Sequence, residues 1–73
     1  MKKKYKYLDK YERKIIAFLY SFGDKISTRA ISKKVEIHWT TAKRSLESLK
    51  EKGVIKKFSM GNKILWKMNP LRT

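Results

Sequence analysis

The 73-residue sequence contains no cysteine, one histidine and one proline. Without cysteine the chain can form neither disulfides nor thiolate metal sites, and His38 alone cannot build a zinc site. The three glycines lie far apart, so there is no glycine-rich phosphate loop. Because no second histidine can partner His38 and the acidic residues are scattered, we expect a protein that is not an enzyme. We also expect no metal, no cofactor and no small-molecule substrate.

Long hydrophobic runs are missing as well. The longest apolar stretch, residues 15–22, includes Ser21 and is too short to cross a bilayer. The basic N-terminus is followed at once by acidic residues and has no small-residue cleavage site, so no signal peptide is predicted. We therefore expect no membrane contact and a cytoplasmic, nucleoid-associated protein.

Acidic residues are scarce: six Asp and Glu stand against 20 Lys and Arg, which gives a formal net charge of +14. Such an excess creates a positive potential that attracts polyanions, and solubility alone needs far less charge. A hydrophobic content of 41% permits a folded core, so the chain is not a disordered basic tail. The charge indicates a nucleic-acid partner, and the lack of Gln and Cys beside abundant Lys and Ile is typical of heat-adapted proteins.

Helical periodicity begins near Asp9, where Asp9 and Glu12 have the spacing of a capping box, and Gly23 is placed to end this first helix. Two further apolar residues, Ile16 and Tyr20, widen its surface, and either the C-terminal hairpin or a dimer partner covers them. The stripe expected to face the core contains Leu8, Tyr11, Ile15, Phe18, Leu19 and Phe22.

Two more helices and a hairpin follow. Ser27, at the end of a short strand over residues 25–27, is expected to cap a second helix at residues 28–34. A third helix spans residues 39–52, begins at His38, buries Ala42, Leu46 and Leu49, and stops at Gly53.

Strands are predicted at residues 54–59 and 63–68, joined by a two-residue turn at Gly61 and Asn62. This register places Lys57 opposite Trp66 and Lys56 opposite Lys67. The lysine pair is repulsive, which indicates either an anion beside the hairpin or a register shifted by one residue. The sequence thus divides into a basic arm (1–7), one domain (8–69) and a tail (70–73).

Three segments, "ISTRAISKKVEI", "HWTTAKRSLESLKEKGVIKK" and "FSMGNKILWKM", resemble the winged helix-turn-helix family of bacterial, archaeal and archaeal-virus transcription regulators. The resemblance implies an α+β fold of three helices, a short strand and a C-terminal β-hairpin wing. It places the helix 39–52 in the major groove and the wing 55–68 on the adjacent backbone or minor groove. Many members have glycine where this chain has Glu36, so its turn must form without glycine.

A second resemblance is to winged-helix domains that bind left-handed Z-form duplexes, because "LWKM" is similar to their wing-strand tryptophan motif. Those domains carry Asn and Tyr at the positions of Lys43 and Glu47, which argues against Z-form recognition by this chain.

The resemblance and the helix faces together give a set of candidate contacts. Arg44 reads guanine or contacts a phosphate. Glu47 either accepts a hydrogen bond from cytosine or pairs with Lys43 one turn away, and the pairing is favoured. Trp39 packs on the turn or stacks on a sugar or a thymine methyl, whereas Trp66 is expected to pack the wing on the third helix. The predicted DNA contacts are Thr28, Arg29, Trp39, Thr40, Thr41, Lys43, Arg44, Lys57, Asn62 and Lys63.

The predicted function is a sequence-specific double-stranded DNA-binding transcription regulator that acts as a homodimer on two half-sites. Two alternatives stay open: a non-specific architectural DNA-binding protein, and a winged-helix module that binds proteins.

Overall fold

Three helices and three short strands follow one another in residues 8–69, the part of the chain that the computed structural model describes. The elements are α1 (Lys10–Phe22), β1 (Ile26–Ser27), α2 (Thr28–Lys34), α3 (Trp39–Glu51), β2 (Ile55–Met60) and β3 (Lys63–Met68). This order confirms the α+β winged-helix architecture. The arm predicted for residues 1–7 and the tail predicted for residues 70–73 lie outside the described residues.

The first helix starts at the predicted capping box. The Asp9 carboxylate accepts a hydrogen bond from the Glu12 N–H (2.8 Å), and the Glu12 carboxylate accepts one from the Asp9 N–H (2.9 Å). Both orphan donors of the first turn are thereby satisfied. Gly23 ends the helix in the left-handed conformation (φ 75°) and donates its N–H to the Leu19 carbonyl, as predicted.

The buried stripe of α1 is narrower than the periodicity predicted. Ile15 and Leu19 are buried, but Tyr11 and Phe22 are 37% and 47% exposed because they lie at the edges of the stripe. Their place on the core side is taken by Glu12, which is only 3% exposed. Tyr20 is 79% exposed, so the described part of the chain does not cover it.

The turn between α2 and α3 is built without glycine. The Ser27 hydroxyl caps α2 by accepting from the Ala30 N–H, as expected. Glu36 then adopts a positive φ of 58°, the left-handed conformation that glycine favours. For an L-residue this conformation costs about 1–2 kcal/mol. The Ile37 N–H donates to the Ser32 carbonyl (3.0 Å) and closes the turn.

Helix α3 begins at the predicted cap, His38, and ends at Glu51, one residue earlier than expected, because Lys52 is already its C-cap. Gly53 follows with φ 78°. The next residue, Val54, lies outside β2, which spans Ile55–Met60 where residues 54–59 were predicted. Val54 is instead buried, and its N–H donates to the Leu49 carbonyl (3.1 Å), which ties the strand to the end of α3.

The strands form an antiparallel sheet in the order β1-β3-β2. The predicted register is confirmed: Lys57 faces Trp66 and Lys56 faces Lys67. Gly61 alone in the hairpin turn has a positive φ, as a type II′ turn requires at its first central residue. The repulsive lysine pair therefore belongs to the real register.

The core lies between α3, α1, α2 and the inner face of the sheet. Within residues 8–69, no helix is long and apolar enough to cross a membrane. The largest fully buried side chains are Trp66, Ile15, Leu19, Ile31, Leu46, Leu49 and Val54.

Candidate nucleic-acid interface

The exposed side of α3 carries the side chains that the sequence assigned to DNA. Ala42, Leu46 and Leu49 are completely buried, and the helix turns Thr40, Lys43 and Arg44 toward solvent. Because successive residues rotate by about 100°, Thr40 and Arg44 lie one turn apart on the side opposite Ala42. The predicted division of this helix into a core face and a polar face is confirmed.

The beginning of α3 is fixed by His38. Its Nδ1 accepts a hydrogen bond from the Thr40 N–H (3.3 Å) and lies 2.8 Å from the Thr40 hydroxyl oxygen. His38 is thus the N-cap, one of the two roles considered for it. The bond also holds the Thr40 side chain close to the cap, while its neighbour Thr41 is half-buried.

Trp39 stands at the first position of α3 and is 50% exposed. The Lys43 ammonium, one turn later, lies 5.9 Å from the centroid of its ring. This pairing gives α3 a cation beside an exposed aromatic face at the end that winged-helix domains direct toward bases.

An open groove of about 630 Å³ separates Trp39 from the tip of the wing. Its walls come from β1, the start of α2 and the two sides of the hairpin turn, and its apolar floor includes Ile26, Ile64 and Leu65. Cationic side chains from three different elements reach it. Five of the predicted contacts line this groove together, namely Thr28, Arg29, Trp39, Asn62 and Lys63.

Trp66 joins the wing to the start of α2. It is 1% exposed, and its indole N–H donates to the Thr28 hydroxyl oxygen at 2.7 Å. The prediction that Trp66 packs inside the domain is confirmed. Thr28 therefore has a structural role in addition to the DNA contact predicted for it, because a buried indole N–H without an acceptor would be costly.

The ion pair predicted between Glu47 and Lys43 is wrong. Glu47 pairs instead with Lys57 on β2, with 2.9 Å between the carboxylate Oε2 and the ammonium Nζ. The sheet brings Lys57 beside α3, where a strand residue on a fixed backbone replaces a flexible neighbour on the same helix. Lys57, one of the predicted DNA contacts, is thus already held by a carboxylate.

Sequence reasoning missed the buried polar cluster on the α1 side of α3. Both oxygens of the Glu12 carboxylate lie 3.0 Å from the Lys52 Nζ. Burial would raise the pKa of Glu12, but hydrogen bonds from the Ser48 side chain, the Asp9 N–H and Lys52, together with the Lys52 charge, lower it below its usual value. The cluster joins α1 to α3 away from the groove, so it supports the site without belonging to it.

Comparison with known proteins agrees with this architecture. No curated protein matches the chain by sequence. A homodimeric winged helix-turn-helix DNA-binding domain from Mycobacterium bovis has a TM-score of 0.76 at 19% identity, with 86% of this chain and 56% of that chain covered. A second structure from Mycobacterium bovis, a possible transcriptional regulatory protein, is covered to 66%. The chain thus spans less than two thirds of either relative.

Two further structures contain DNA. Lactococcus lactis ZitR in complex with DNA has a TM-score of 0.74 at 21% identity, covering 88% of this chain and 44% of ZitR. The Zα domain of Carassius auratus PKZ in complex with Z-DNA has a TM-score of 0.70 at 28% identity, covering 80% of this chain and 90% of that domain. The sequence profile of the winged helix-turn-helix DNA-binding family matches residues 8–56. The chain therefore belongs to the winged helix-turn-helix DNA-binding family.

Proposed function

We propose that this domain is a transcription regulator that binds double-stranded DNA in a sequence-specific manner. In this proposal α3 enters the major groove and the wing (residues 55–68) follows the adjacent backbone or minor groove. The observation that carries it is the continuity of one basic surface: the exposed side of α3, with Lys43 and Arg44, runs past Trp39 into the groove at the wing tip.

Arg44 is proposed to read a base. Its guanidinium is exposed on the outermost side of α3, and a bidentate contact to guanine contributes about 1–3 kcal/mol of discrimination. Thr40, Thr41 and Lys43 then position the helix on phosphates beside that base. Contacts of this kind fix the register of a helix on the duplex without reading sequence.

The groove is proposed to follow the sugar–phosphate backbone. Arg29 and Lys63 provide cations on its two sides, Asn62 provides an amide at the tip, and Trp39 provides an apolar wall for a sugar or a thymine methyl. The Thr28 hydroxyl accepts from Trp66 and still has its own proton to donate to a phosphate. If about five cations engage phosphates, log K should fall against log salt with a slope near −4 to −5.

A homodimer on two half-sites is proposed as the binding form. Tyr20 and Phe22 are exposed on α1, and the related Mycobacterium bovis domain is described as homodimeric. Dimeric helix-turn-helix proteins place half-sites about 10 base pairs apart. Sedimentation at high protein concentration tests this arrangement: a monomer both with and without DNA would exclude it.

The deciding experiment is selection from a random duplex library at two salt concentrations. A regulator should enrich one motif and bind it about 10³-fold more tightly than random duplex. A flat preference would favour the architectural alternative, and no duplex binding would favour the protein-interaction alternative. A Z-form duplex belongs among the competitors because of the likeness to the Zα domain.

Site variants complete the test. Replacing Lys43 and Arg44 by alanine should reduce the salt slope by about 1.8, the value for two lost phosphate contacts, and relax the selected motif if Arg44 reads a base. The matched control replaces Arg13 and Lys14 by alanine, which removes the same charge from exposed positions on α1. Equal losses in the two double variants would contradict the placement of the interface on α3.

A further inference from the structure

The surface proposed for DNA contains one acidic side chain among its cations. Glu47 lies on α3 one turn after Lys43, and its carboxylate oxygen is 2.9 Å from the Lys57 Nζ on β2. The other acid of α3, Glu51, is the last residue of the helix and is exposed. A carboxylate in the middle of a phosphate-binding surface opposes binding, so its position needs a reason.

Lys57 is held from two directions. Across the hairpin it faces Trp66, and its ammonium lies 5.6 Å from the centroid of the indole ring. Trp66 is itself fixed, since it is buried and donates its N–H to Thr28. Glu47 completes the arrangement from the helix side. The ammonium is therefore held at a defined place between α3 and the wing and does not extend freely toward a phosphate backbone.

The closed pair has no net charge. A duplex that offers only phosphates gains nothing from Lys57 while Glu47 holds it, and the carboxylate repels those phosphates. We infer that Glu47 is a specificity-determining residue, which keeps Lys57 in a neutral ion pair and so lowers the affinity of the surface for arbitrary duplex. This inference rests on the proposed DNA-binding function and assigns a role to a residue that opposes binding strength.

The test compares Glu47→Gln with Glu51→Gln on a random-sequence duplex. Both variants gain one unit of net charge, but only Glu47→Gln releases Lys57. We expect the salt slope of Glu47→Gln to steepen by about 0.9 relative to Glu51→Gln, so that it loses about 3.5-fold more affinity between about 50 and about 200 mM salt. The preference for the selected duplex over the random duplex should fall at the same time.

A double-mutant cycle isolates the pair. Lys57→Gln alone leaves the Glu47 carboxylate without its cation and should weaken binding to the random duplex. The double variant Glu47→Gln/Lys57→Gln replaces one neutral pair with another, so its affinity and salt slope should return to those of the wild type. Thermal unfolding of each variant verifies that the fold is retained.

Three outcomes overturn the inference. Glu47→Gln may not exceed Glu51→Gln on random duplex; it may lose the selected duplex without gaining the random one, which would identify Glu47 as a direct reader of cytosine; or the double variant may fail to return to wild type. In each case the wild-type protein still binds duplex, so the proposed function stands. Absence of wild-type binding would instead overturn the proposed function.

Discussion

Helix α3 forms two lysine–carboxylate pairs with other elements, and the two pairs differ in their surroundings more than in their geometry. The pair between Lys52 and Glu12 joins the end of α3 to α1 at 3.0 Å, with side-chain exposures of 26% and 4%. The pair between Lys57 and Glu47 joins the wing to α3 at 2.9 Å, with exposures of 31% and 40%.

The difference in burial assigns the two pairs different tasks. Glu12 also accepts from the Asp9 N–H and from Ser48, so its removal would leave several groups without partners in a desolvated place. Glu47 can exchange Lys57 for water at little cost. A buried pair of this kind holds the fold together, whereas an exposed pair can open when another charged molecule approaches.

The largest expected effect comes from removing one carboxylate at a time. Glu12→Ala should lower the free energy of unfolding by about 3 kcal/mol, because it breaks a largely buried pair and the capping box. Glu47→Ala should lower it by less than about 1 kcal/mol. Chemical denaturation of both variants measures the difference, and equal losses would mean that burial does not distinguish the pairs.

Acid should separate the pairs next. The pKa of Glu12 is lowered in the folded state, so its stabilisation is complete above the ordinary value of 4.5 and is lost as the pH falls through the lowered value. Glu12→Gln should therefore flatten the acid limb of the stability profile, while Glu47→Gln should leave that limb steep. Thermal melts across this pH range measure both, and parallel profiles for Glu12→Gln and the wild type would contradict the assignment.

Salt should act in the opposite order. At about 1 M salt the screening length falls to about 3 Å, which weakens exposed pairs more than buried ones. A double-mutant cycle on Glu47 and Lys57 should give a coupling of about 0.2–1 kcal/mol at low salt that declines at high salt. The same cycle on Glu12 and Lys52 should change little. A salt-insensitive Glu47–Lys57 coupling would show that this pair is effectively buried.

The smallest effect is expected at the turn before α3. Glu36→Gly relieves the left-handed backbone but makes the unfolded chain more flexible, so the net stabilisation should not exceed about 1 kcal/mol. Because Glu36 belongs to neither pair, both coupling energies should stay unchanged in this background. A changed coupling would mean that the turn, and not burial, sets the difference between the two sides of α3.

Local rules predicted the parts of the fold that local interactions determine. The capping box, the left-handed Gly23 and the hairpin register all follow from residues within a few positions of one another. The type II′ turn at Gly61 fixed the register of every rung up to Ile55 and Met68, so the opposed Lys56 and Lys67 were correctly placed.

Long-range pairs could not be predicted in the same way. The spacing of Asp9 and Glu12 is fully explained by capping, so nothing in it indicated a second partner 40 residues later in Lys52. The i, i+4 rule offered Lys43 to Glu47, and only the path of β2 beside α3 makes Lys57 the partner. The candidate contacts on α3 follow from helical rotation, but the groove that unites Trp39 with the wing tip depends on the tertiary arrangement.

The opposed lysines of the wing have a consequence for how the hairpin breathes. Lys56 and Lys67 face each other directly, so their repulsion favours opening of this rung in the free protein. Any polyanion lying along that face relieves the repulsion and stabilises the closed hairpin by linkage. Hydrogen exchange of the wing amides should therefore slow in the presence of duplex, and the ligand itself completes the folding of the element that touches it.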